Sequence, residues 1–86
     1  MAVIIISNIG DLDHDPEHTL IAFNPWGFSR QNIRSDFQSV LNQIMPLEPT
    51  EIRLVMKPYL FGNRMRFLET VLRDTFPDQA VSLELM

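Results

Sequence analysis

Glu51-Ile52-Arg53-Leu54-Val55-Met56-Lys57 alternates along its whole length, with Ile52, Leu54 and Met56 on one side and Arg53, Val55 and Lys57 on the other. Side chains of a strand point alternately to its two faces, so this pattern is a half-buried strand with one apolar and one polar face. Pro58 closes it. The C-terminal segment repeats the pattern, with Val81, Leu83 and Leu85 inward and Ser82 and Glu84 outward. Two strands of this kind predict a sheet covered by helices on one side only. A sheet covered on both sides reads instead as continuous apolar runs.

Between and before these strands lie two helical patterns. Ile33, Phe37, Val40, Leu41 and Ile44 fall at helical spacing after Ser29, a suitable N-cap, and Pro46 ends the run near Met45. Asn63 is placed to cap a second helix with Met65, Leu68, Val71, Leu72 and Phe76 as its apolar stripe. Glu69 and Arg73 stand four apart in it, in the favourable order. Nearer the N-terminus, Ala2 to Ser7 is a β-branched run without alternation, the pattern of a strand covered on both faces or central in its sheet. Thr19 to Phe23 is a second short strand stopped by Asn24-Pro25. Residues 8–18 then read as a long hairpin loop, with the first two strands antiparallel. The predicted fold is a single α/β domain over residues 1–86. It is a small two-layer sandwich, with a mixed sheet of three or four strands and two helices on one face (ββαβαβ or βαβαβ).

Composition bounds the rest. A chain of 86 residues buries roughly 60–65% of its unfolded surface, enough for one modest core. Its 45% apolar content is that of a folded domain, and with no cysteine it holds neither disulfides nor thiolate metal sites. No apolar run approaches the ~20 residues needed to span a bilayer, and no signal peptide is evident. A cytoplasmic protein without membrane contact is the expectation. The net charge of −4 disfavours sequence-blind nucleic-acid binding, which needs a basic surface.

That charge has a local origin. Asp11, Asp13, Asp15 and Glu17 lie in one segment with His14 and His18, while the other seven acidic residues match the seven basic ones. The alternate aspartates begin like an EF-hand loop, but Pro16 occupies the glycine position and Ala22 the bidentate glutamate position, so that geometry is excluded. A different oxygen-rich site of Asp11, Asp13 and His14, with His18 also in reach, would suit magnesium or manganese and support phosphodiester hydrolysis. The plainer reading is a solvated turn built of short polar residues.

Other features point to recognition. Phe23-Asn24-Pro25-Trp26-Gly27-Phe28 and Tyr59-Leu60-Phe61 put aromatics into connections, where they either fold over the core edge or anchor a partner. Arg53 and Lys57 share a strand face, and Arg64 and Arg66 open the second helix, where basic charge opposes the helix dipole. Such a set would meet an acidic partner or a phosphate. Alternatively Arg53 pairs across strands with Glu84. Ser7-Asn8-Ile9-Gly10-Asp11, following an isoleucine-rich strand, resembles the opening of Rossmann-like nucleotide-sensing domains, including those of CRISPR accessory proteins that bind cyclic oligonucleotides. That resemblance assigns no site residue.

The leading expectation is a small non-enzymatic interaction protein, a regulator, inhibitor or accessory subunit, with no cofactor and no assigned catalytic residue. It would meet a protein partner or a second copy of itself through Trp26, Phe28, Tyr59, Phe61, Arg53, Lys57, Arg64 and Arg66. The alternatives are a magnesium- or manganese-dependent phosphodiesterase or nuclease using the acidic loop 11–18, and a nucleotide- or nucleic-acid-binding module.

Overall fold

In the computed structural model, residues 2–23, 33–57 and 62–86 are described. Four strands, β1 (Val3–Ser7), β2 (Thr19–Ala22), β3 (Glu51–Met56) and β4 (Ala80–Leu85), form one sheet in the order β2-β1-β3-β4. Two helices, α1 (Ile33–Ile44) and α2 (Gly62–Thr75), connect β2 to β3 and β3 to β4. This is the small two-layer α/β sandwich that the alternating strands predict.

Every strand pair is parallel, including β1 with β2. The antiparallel hairpin is therefore corrected, and with it the mixed sheet. Ile4 pairs with Thr19 and Ser7 with Ala22, so residues 8–18 must return along the strand direction before β2 begins. The segment is long enough for that crossover without a helix, and loop length alone does not distinguish a slack hairpin from a return crossover.

The core lies between the sheet and both helices. Ile4, Ile6, Ile52, Leu54 and Met56 meet Phe37, Val40, Leu41 and Ile44 of α1 and Met65, Leu68, Val71 and Leu72 of α2 in one cluster. Val81 and Leu83 are only half-buried against it, and Leu85 is 48% exposed, because β4 is an edge strand. The side chain of Ile33, expected in this core, lies outside the described residues. The first helix ends at Ile44, and Met45–Leu47 continue as one 3-10 turn carrying Pro46. The second begins at Gly62, a residue before its expected cap.

The other face of the sheet is not bare, which corrects the reading from alternation. Val3 (7% exposed), Ile5 (1%) and Val55 (2%) point there, and all are buried outside the helix-facing cluster. Parallel crossovers are right-handed. Since β1 to β2 moves across the sheet opposite to the two helical connections, a right-handed crossover there would run over this second face. Leu12, His14 and His18 in that segment are half-buried. No described helix is long and apolar enough to cross a membrane.

Candidate functional site

The strands that follow β1 and β3 lie to opposite sides of that neighbouring pair, β2 beyond β1 and β4 beyond β3, so the direction of winding reverses between them. In open α/β sheets this reversal opens a crevice at the carboxyl ends of the strands, where ligands bind. Here those ends are Ser7-Asn8 of β1 and Met56-Lys57 of β3, with Ala22-Phe23 of β2 beside them.

Short hydrogen bonds fix this rim. The Phe23 N–H donates to the Ser7 carbonyl at 2.9 Å, extending the β1–β2 ladder past the end of β2. The Ile9 N–H donates to the Ser7 Oγ at 3.0 Å and turns the chain off the sheet. The Lys57 N–H donates to Asn8 Oδ1 at 2.9 Å, joining the ends of β1 and β3 across the point of reversal. Ser7 is 2% exposed, so its hydroxyl serves the turn and does not project to solvent.

Ser7, Asn8, Ile9, Gly10, Ala22 and Phe23 line an open cleft of about 270 Å³. Its walls are mostly apolar, and the Phe23 ring is braced edge-on against Phe37 at a centroid distance of 5.0 Å. Asn8 supplies the polar feature. Its Oδ1 is occupied by Lys57, whereas its Nδ2 is enclosed and has no hydrogen-bond partner among the described residues. An enclosed donor without an acceptor costs about 1–3 kcal/mol, a cost that a bound acceptor removes. At Gly10 an added Cβ would meet nothing within 4 Å, so packing does not demand glycine there and the space is open. Neither Asn8 nor Ser7 stands among the site residues expected from the sequence. The usable signal was Asn8 immediately after a central strand, in the very stretch that resembles a nucleotide-sensing domain.

The described members of the expected site lie on different elements. Arg53 is committed to Glu84, with Nη2 2.9 Å from Oε2, as its cross-strand reading anticipates. It lies on the second face, whereas Arg64 and Arg66 belong to the first turns of α2 on the opposite face. The sheet therefore stands between Arg53 and these two, and Lys57 is exposed at the rim. Trp26, Phe28, Tyr59 and Phe61 lie outside the described residues, while Phe23 of the same aromatic segment is buried in the core.

The acidic segment carries turn geometry. The Glu17 N–H donates to Asp15 Oδ1 at 2.9 Å, and the His18 N–H donates to the Asp15 carbonyl at 2.9 Å, so Asp15 closes its own turn. His14 Nδ1 lies 3.1 Å from the Leu12 carbonyl, and Asp11 and Asp13 are exposed. Among the described residues, no three histidines or carboxylates converge as a metal site would need.

The chain matches no family model, no curated protein and no solved structure.

Proposed function

We propose that this chain is a small recognition protein that acts by non-covalent binding, as a regulator or accessory subunit, and takes a small ligand in the cleft between the ends of β1 and β2. The observation that carries this reading is the enclosed, unpartnered Nδ2 of Asn8 beside the point where the connections reverse. Binding opens the rim enough for an acceptor on the ligand to reach that donor, while Ile9, Ala22 and Phe23 receive a flat or apolar body. A nucleoside or nucleotide base meets both requirements, and the cleft volume suits a molecule of that size. Asp11, following Gly10 at the mouth, favours a ligand with hydroxyls at its outer end over one carrying several phosphates.

Isothermal titration with adenosine, guanosine, cytidine and uridine and their monophosphates tests this. One or more should bind the wild-type protein, with the melting temperature rising as ligand is added. Asn8→Asp keeps the acceptor for Lys57 but replaces the free donor with a carboxylate. It should abolish that binding while the unliganded protein still melts cooperatively. Binding unchanged in Asn8→Asp, or no binding by any of the eight compounds, rejects the reading.

A second reading, contact with a protein through the open edge of the sheet, is favoured by β4. That strand ends at Leu85, which with the following Met86 is exposed, at 48% and 65%.

A further inference from the structure

Among the described residues β4 has a strand on one side only, and its hydrogen-bonding directions are known. Ala80 N–H donates to the Thr50 carbonyl and Met86 N–H to the Met56 carbonyl, both on the β3 side. In a parallel ladder alternate residues bond to the same neighbour, so Ser82 and Glu84 also face β3. Val81, Leu83 and Leu85 therefore direct their N–H and C=O groups outward, away from the sheet. Natural edges are blunted by proline, lysine, a bulge or an inward charge. The segment Ala80-Val81-Ser82-Leu83-Glu84-Leu85 has no proline or lysine, and its one charge is held by Arg53. The opposite edge, β2, is shorter and follows the acidic segment.

We infer that β4 pairs antiparallel with β4 of a second copy, about a two-fold axis through Leu83, giving one continuous sheet with all helices on the same side. Backbone geometry selects this register. Only a centre at Leu83 engages every outward residue, pairing Leu83 with its own equivalent and Val81 with Leu85 of the other copy, each pair exchanging both its bonds. Side-chain chemistry agrees. Exposed Leu85 gains Val81 as an apolar neighbour, and Glu84 stands opposite Ser82, so no carboxylates face each other. Centring on Glu84 would set two carboxylates face to face and leave Val81 unpaired.

Sedimentation equilibrium across a micromolar concentration series reads the association. The wild-type protein should approach twice the 10.0 kDa chain mass as concentration rises. Ser82→Glu sets a second carboxylate opposite Glu84 in a closely spaced pair, while within its own chain it neighbours Arg53, its register partner on β3. It should weaken the dimer at least tenfold with no loss of melting temperature in the dilute monomer. Ser82→Lys reverses the sign toward Glu84 and should leave the dimer at least as tight as Ser82→Ala does. Leu85→Pro removes an outward N–H without touching the β3 ladder and should also weaken association at least tenfold. A wild-type protein that stays monomeric throughout, or a dimer indifferent to both Ser82→Glu and Leu85→Pro, overturns the inference.

Discussion

Glu48 is the one non-glycine residue among those described with a left-handed backbone, at φ 49° and ψ 63°. It ends the 3-10 turn after α1, its N–H donating to the Met45 carbonyl at 3.2 Å. A residue with a Cβ pays roughly 1–2 kcal/mol for that conformation. Glycine removes the cost but loses about 0.4–1 kcal/mol through the greater freedom of its unfolded chain. Glu48 is exposed and its side chain makes no described contact, so these two terms decide the outcome. Glu48→Gly should therefore raise stability by about 0.5–1 kcal/mol in urea titration. A lower midpoint would mean that the turn is held by something other than backbone conformation. This residue was illegible in the sequence: glutamate carries no preference for a left-handed position, and the cap is imposed by the chain turning from α1 into β3.

At the scale of elements, periodicity reported each helix and strand well and their partners poorly. The stripes Phe37-Val40-Leu41-Ile44 and Leu68-Val71-Leu72 are buried as their spacing requires. The i, i+4 pair of Glu69 and Arg73 forms at 3.0 Å. On β3 and β4 the sequence suggested Arg53 and Glu84 as neighbours, and the parallel register sets them diagonally across the pair. The two side chains are 32% and 45% exposed, so water screens their attraction. Arg53→Met should cost less than about 1 kcal/mol. The gap between variant and wild type should close in 1 M salt, where the screening length falls to about 3 Å. A loss above 2 kcal/mol, insensitive to salt, would show that Arg53 matters through packing on the second face and not through its charge. What periodicity missed is strand direction. Residues 8–18 carry the same turn chemistry in a hairpin and in a return crossover, since both need a connection rich in short polar turn formers.

For the whole molecule the main consequence of parallel pairing is a covered second face. If residues 8–18 close over β1 and β3 there, Ile5 sits in a second apolar layer and not on a solvated surface. Ile5 is 1% exposed and Ile4, on the helix side, is 0% exposed. Ile5→Ala should then cost on the order of 2–5 kcal/mol, comparable to Ile4→Ala, as buried isoleucine truncations do. Chemical denaturation of the two variants side by side measures this. A cost below 1 kcal/mol for Ile5→Ala alone would mean that the second face opens readily. The segment that would close over Ile5 starts at Asn8, which also lines the cleft.

The apolar run of β1, the alternation of β3 and the helical stripes determined by themselves that this chain makes an α/β layer with two helices on one side. Those are local properties, written at period two or near three and a half in residues that are neighbours along the chain. Strand direction, the burial of the second face, the edge position of β4 and the enclosed amide of Asn8 were decided only in the tertiary structure. Each depends on which distant backbone groups meet: Asn8 needs Lys57 to occupy one side of its amide and leave the other free, and β4 needs β3 to turn Val81, Leu83 and Leu85 outward. Hydrogen-bond satisfaction is a property of the assembled chain, so no pattern in a single segment records it.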